Sequence, residues 1–300
     1  METVSDIQEA TRITRSDPAS NKVLSDSDIA KYQRDGFIVL ENLVDPGWVD
    51  RLQSAMDEFV EKSRSLTESN ILFDLEERHS ADHPRLRRLV SPADLHETFW
   101  EFASQSVVVD AVEDLIGPDI KFHHSKLNFK EPGGGEEVKW HQDISFWPHT
   151  NYTPLTIGTF LSDVEEGMGN VGFVPGSHLG DIHDQYDGQD WIGCLSEPDV
   201  KRLDVERAVY PTGRAGSVTV HNCRTVHGSA PNTSTVGRPL LLQTYAAADA
   251  FTYTDLVAQS PHGDMLIRGE PARWARHDPR PCQVGPSKVR TIFEVQQREA

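Results

Sequence analysis

The chain has 300 residues, 37% apolar and 25% charged, enough to bury one large core. Its 47 acidic and 29 basic residues give a formal charge of −18, which argues against nucleic acid and anionic membranes as partners and for a small-molecule substrate. Three scattered cysteines, Cys194, Cys223 and Cys282, exclude a disulfide scaffold and a thiolate zinc site and suit a reducing cytoplasm, and no apolar run is long enough to span a membrane.

Residues 1–22 are polar, lack the apolar stretch of a signal peptide, and read as a flexible N-terminal arm. A short helix follows, capped by Ser25 or Ser27, with Ile29 and Tyr32 inward and Gly36 ending it in the left-handed conformation. Phe37 to Leu40 is an unbroken apolar run and reads as a buried strand. Pro46 opens a second helix whose stripe is Val49, Leu52, Met56, Phe59 and Val60. Ser63 to Pro92 is polar and weakly periodic, the texture of an excursion over an active site. Helical patterns return around Phe99, Trp100 and Phe102 and from Ser106 to Ile116, where Gly117-Pro118 stops them.

From residue 119 the texture changes to short β-like runs divided by Gly, Pro, Asn and Asp: 120–129, 155–161, 171–174, 217–220 and 240–245. This predicts a mainly β fold with flanking helices, a sandwich or jelly roll, in one domain over residues 23–300. Its helical layer covers 25–118, its β core 119–250, and residues 251–300 close it. His123 and His124 are adjacent, so a regular strand faces them oppositely and at most one looks inward.

Within the β core, Trp140-His141-Gln142-Asp143 follows the turn Gly133-Gly134-Gly135. In an extended strand His141 and Asp143 project to one face while Gln142 turns away. One imidazole and one carboxylate on one side are two members of a two-His-one-carboxylate iron triad, which leaves coordination positions open. The third candidate is His227, with His221 as its rival on the preceding strand. His227 is preferred because Arg238 stands eleven residues on. If residues 228–237 turn back, Arg238 enters the adjacent antiparallel strand and presents a guanidinium able to grip a carboxylate bidentately.

These residues resemble the phytanoyl-CoA dioxygenase family of Fe(II)/2-oxoglutarate oxygenases. The resemblance runs through Asp35-Gly36-Phe37, His141-Gln142-Asp143, Val174-Pro175-Gly176-Ser177-His178, His227-Gly228-Ser229 and Arg238, roughly residues 25–246. It implies a double-stranded β-helix, cupin-like, with iron at one mouth held by His141, Asp143 and His227. It implies 2-oxoglutarate and O2 as co-substrates, with Arg238 and Ser229 at the distal carboxylate of 2-oxoglutarate. Lys126, fifteen residues before His141, matches a co-substrate lysine of the ectoine hydroxylase branch, and Trp147 matches an aromatic there. Thr159 is a further co-substrate candidate. In the family, His178 shapes a turn and does not bind iron.

The implied reaction hydroxylates an unactivated C–H bond of a small molecule and releases succinate and CO2. Related halogenases carry a small residue where Asp143 stands, so its carboxylate favours oxygen insertion. A metal-dependent hydrolase or isomerase on a cupin-like barrel is the alternative, and a non-catalytic binding protein of this fold a second. A hydrolase has no need of the carboxylate anchor formed by Arg238 and Ser229, and a degenerate binding protein should lose its metal ligands first, whereas the triad here is intact. Specificity is expected in loops over the mouth at 70–88, 145–153, 181–198 and 251–280, with Phe146, Trp147, Tyr152 and Trp191 as pocket candidates. Arg268, Arg273, Arg276 and Arg280 are read as a solvated basic stretch.

Overall fold

The computed structural model describes residues 21–254, 260–286 and 292–296. The first twenty residues of the expected arm lie outside these. Its last residue, Lys22, is already tied to the body, because the buried Asp114 carboxylate accepts the backbone N–H groups of Lys22, Val23 and Leu24.

Helix α1 (Asp26–Asp35) has Ser25 as its N-cap in a capping box with Asp28, and Gly36 ends it at φ 81°. Strand β1 (Phe37–Leu40) and helix α2 (Pro46–Ser63) follow, the latter capped by Asp45 with Pro46 in its first turn. Helices α3 (Pro92–Leu95), α4 (Glu97–Gln105) and α5 (Val107–Ile116) complete the helical layer. Leu52, Phe99, Phe102, Val108 and Val112 are fully buried between this layer and the sheet behind it. Each such side chain contributes about 1.5–3 kcal/mol.

That sheet is the larger of two. Its strand order is β1, β10 (Val218–Asn222), β6 (Leu155–Phe160), β12 (Leu240–Ala247), β4 (Ile120–Asn128), β3 (Leu86–Val90) and β2 (Phe73–Leu75), with β13 (Leu266–Arg268) also on β4. The second sheet has the order β5 (Val138–His141), β11 (His227–Ser229) and β7 (Val171–Phe173). A hairpin, β8 (Tyr186–Asp187) with β9 (Asp190–Trp191), and helices α6 (Glu197–Arg202) and α7 (Ile292–Gln296) lie outside them. Both sheets are antiparallel, as a mainly β fold with flanking helices requires.

The polar stretch 63–92 is not only an excursion. It supplies β2 and β3, which extend the large sheet beyond β4. Its weak apolar period follows from charged residues used structurally: Arg87 bonds Asp74 and Glu136, and Arg85 bonds Glu76 and the Pro132 carbonyl.

Period-two alternation gives the large sheet two unlike faces. Leu127, Ile157, Val220 and Leu241 join the helical core. Lys126, Asn128, Thr156, Thr219, His221, Leu240 and Leu242 face the small sheet across a cleft. Gly158 lies on the cleft face, where a Cβ would stand 2.7 Å from Thr219 Oγ1 and 3.3 Å from Leu242. No described helix is long and apolar enough to cross a membrane.

Candidate active site

His141 ends β5 and His227 begins β11, and the two pair directly across the small sheet, with ring centroids 4.1 Å apart. Gln142 continues in extended backbone, and Asp143 opens a 3-10 turn. The side chains therefore diverge as alternation predicts. Gln142 turns outward to the Arg224 carbonyl at 2.7 Å, while Asp143 points back between the histidines. Asp143 Oδ1 lies 3.6 Å from His141 Nε2 and 3.8 Å from His227 Nε2. The three donor atoms fall within 4.8 Å of one another and form the one His/Cys/Asp/Glu group of metal-binding geometry among the described residues.

Both histidines are oriented by the same local device. His141 Nδ1 donates to the Lys139 carbonyl and His227 Nδ1 to the Thr225 carbonyl, each at 2.9 Å. Each Nδ1–H is thereby fixed, and each Nε2 lone pair faces the common point, as a metal-binding imidazole requires. Burial, with His141 alongside, keeps the His227 imidazole neutral well below the usual histidine range. Burial opposes the charge of Asp143, but the surrounding His227, His141 and His221 side chains outweigh it and hold the carboxyl well below its usual range.

His221 is not in the metal-binding group. Its Nε2 donates to the other carboxylate oxygen, Oδ2, at 3.4 Å, and Thr156 Oγ1 approaches that oxygen at 3.5 Å. It steadies the carboxylate from beneath, a role the residue order does not reveal. His178 lies away from the group, its Nε2 bonded to the Gln33 carbonyl under the end of α1.

Arg238 is 3% exposed and lines the cleft. It does not enter a strand beside β11. The 230–237 loop crosses to the opposite sheet, where Arg238 pairs with Lys130 just ahead of β12. Asn232 pins the loop through the Lys130 and Val236 carbonyls, both at 2.8 Å. One guanidinium nitrogen bonds the Gly169 carbonyl at 2.8 Å, while Nε and Nη1 have no partner. Burial lowers the Arg238 pKa to about 10, so it stays charged. A buried cation with two free donors fits a carboxylate guest. Ser229 and Lys126 line the same cleft, as do Ile292 and Phe293 of α7.

Thr159 corrects the sequence reading. It pairs with Val218 and Leu241 on the face turned to the helical core, opposite Thr156 and Gly158, so it does not reach the cleft. Thr156 and Thr219 stand where Thr159 was expected. The parity was readable, because Leu155 and Ile157 share the face of Thr159. None of the four aromatic candidates lines this cleft. Phe146 stands edge-on to His141 at 5.7 Å and to Trp191 at 5.4 Å. Trp147 packs on His123 and His124, and Tyr152 lies under the guanidinium groups of Arg224 and Arg280. Arg268, Arg276 and Arg280 pair with carboxylates at Asp110, Asp249 and Asp278.

Comparison with known proteins gives these features a family. The phytanoyl-CoA dioxygenase (PhyH) family matches residues 32–240. A probable alpha-ketoglutarate-dependent hypophosphite dioxygenase of Stutzerimonas stutzeri is 30% identical over 260 residues, covering 85% of this chain and 90% of its own. An ectoine dioxygenase of Sphingopyxis alaskensis is 24% identical, covering 87% and 88%. The solved structure of EctD from S. alaskensis with 2-oxoglutarate and 5-hydroxyectoine superposes with a TM-score of 0.64 at 23% identity, covering 88% of this chain and 92% of that one. The carbocyclase SnoK from nogalamycin biosynthesis gives 0.64 at 23%, covering 85% and 98%. The double-stranded β-helix is thus shared, and the chain belongs to the phytanoyl-CoA dioxygenase family as an Fe(II)- and 2-oxoglutarate-dependent dioxygenase.

Proposed function

We propose that His141, Asp143 and His227 hold the iron, that Arg238 anchors the distal carboxylate of 2-oxoglutarate with Ser229 and Lys126 beside it, and that the substrate is a compact oxyanion. The observation that carries the co-substrate role is the half-bonded Arg238 guanidinium, buried with Nε and Nη1 free. When bound, the iron supplies O2 activation coupled to oxidation of 2-oxoglutarate to succinate and CO2. The residues do the rest. The Lys139 and Thr225 carbonyls fix both imidazole tautomers, His221 and Thr156 hold the carboxylate, and Phe293 with Ile292 covers the cleft against water.

The oxyanion class is supported by the hypophosphite dioxygenase of S. stutzeri, the more similar of the two curated relatives described above. The test is succinate release from 2-oxoglutarate with Fe(II) and O2. Hypophosphite should stimulate it and be consumed in step with it. Release that ectoine stimulates and hypophosphite does not would overturn the substrate class.

A further inference from the structure

Strand β4 contains a bulge where the sequence predicts a regular strand. Thr244 of β12 pairs with His124 and Tyr245 with Phe122, so His123 is the extra, unpaired residue. This corrects the expectation that His123 and His124 face opposite ways. Their rings lie 4.8 Å apart, with the Nδ1 atoms 2.5 Å from each other. His149, six residues past Asp143, packs on the same pair at 5.1 Å from His123. Trp147 touches all three rings at 5.4, 6.1 and 5.8 Å.

His123 is 3% exposed and His149 1%, and Nε2 of each has no hydrogen-bond partner. A buried polar atom left unpaired costs about 1–3 kcal/mol, so two in one cluster mark a place built for a ligand. The free end of His149 is defined. Its Nδ1 donates to the Trp147 carbonyl at 2.7 Å, the device that also orients His141 and His227. The charged groups that face the cluster are Lys121, Lys126 and Arg88, against Asp143 and Asp264. Asp264 is already engaged by Lys121 at 3.3 Å, and Asp143 by the triad histidines and His221. The Cys282 thiol meets the His149 backbone. Lys121 and Asp264 offset each other, and what the cluster offers a small anion is the unpartnered Nε2 ends of His123 and His149.

We propose that His123, His124 and His149 form the subsite that receives the oxyanion, and that His149 takes one proton from solvent as the anion binds and donates it from Nε2. This rests on the dioxygenase reading and on the oxyanion class given above. In the free protein, burial brings His149 down to about 4, so it is neutral at pH 7 and the proton arrives with the ligand.

The test uses full-length protein loaded anaerobically with Fe(II) and 2-oxoglutarate, titrated with hypophosphite at pH 7.5. Perturbation of the visible charge-transfer band reports binding, and calorimetry in two buffers of different ionisation enthalpy reports proton uptake. Wild type should bind with uptake of about one proton. His149→Gln should weaken binding roughly tenfold to a hundredfold and abolish the uptake, while the band before addition is unchanged. His123→Gln should weaken binding with the uptake retained, and it serves if His149→Gln does not fold. His149→Gln binding as wild type, no hypophosphite response in wild type, or a response without proton uptake would each overturn the proposal. Absence of the band in wild type before any oxyanion is added would overturn the dioxygenase reading beneath it.

Discussion

In the proposed site, Arg238 is the residue that distinguishes an oxygenase from a bare metal centre. A hydrolase of the same fold has no use for a buried guanidinium with Nε and Nη1 unpaired. In the proposed site, Arg238→Ala would remove two charge-assisted hydrogen bonds to the co-substrate, each worth about 1.5–3 kcal/mol. The half-saturating 2-oxoglutarate concentration should rise at least roughly tenfold, with Fe(II) affinity nearly unchanged. Equal losses for metal and co-substrate in paired titrations would remove Arg238 from that role. Arg238 was legible in the sequence because its spacing from His227 is a linear signal. The parity of Leu155 and Ile157 already turned Thr156 to the cleft, but the carboxylate contact of His221 was not legible, because it depends on how β10 lies against the Asp143 turn. His123 escaped for a related reason. A bulge breaks the period-two rule, and nothing in the His123-His124 pair announces one.

At the scale of elements, α7 is the part that sequence reading left undescribed. It has five residues, too few to hold a helix alone, so tertiary contacts must hold it. Phe293 is 3% exposed against Arg87, Val295 packs on Trp191, and Gln296 bonds the Lys139 N–H at 2.8 Å and the Gly193 carbonyl at 2.7 Å. Ile292 and Phe293 at the same time line the cleft. Phe293→Ala removes about 1.5–3 kcal/mol of burial from this docking. It should raise substrate-independent succinate release several-fold, because water then reaches the co-substrate. Uncoupled turnover equal to wild type would show that α7 does not seal the cleft. The longer elements were legible because they obey local rules: Ser25 caps α1, Pro46 opens α2, and Gly36 ends α1 at φ 81°. Helix α6 and strands β2, β3 and β13 carry no such periodic signal, and ion pairs such as Arg87–Asp74 replace it.

Across the whole molecule, several histidines are buried without charge. His124 is held at about 3, and His149 and His178 at about 4, all chiefly by burial. In the unfolded chain each returns to about 6.5. Above that pH both states are neutral and stability is complete. As pH falls from about 6.5 toward 4, the unfolded chain binds protons that the folded chain refuses, and stability is lost by up to about 1.4 kcal/mol per pH unit for each such histidine. Urea midpoints of the metal-free protein should therefore drop between pH 7 and 5. His178→Gln, which keeps a donor toward the Gln33 carbonyl, should flatten that drop. A midpoint constant over this range would mean that these histidines are charged or solvated in the folded state.

In the proposed holoenzyme one iron would be held by His141, Asp143 and His227, with 2-oxoglutarate beside it. Anaerobic addition of Fe(II) and 2-oxoglutarate, followed by visible absorption, tests it most directly. Wild type should develop a weak charge-transfer band saturating at one iron per chain, and His227→Ala should lose it. His221→Ala should keep the band with weakened iron affinity, since His221 stands outside the metal-binding group and its Nε2 bonds the Oδ2 of Asp143. A band that survives His227→Ala and disappears in His221→Ala would place the iron on the other histidine and contradict the account.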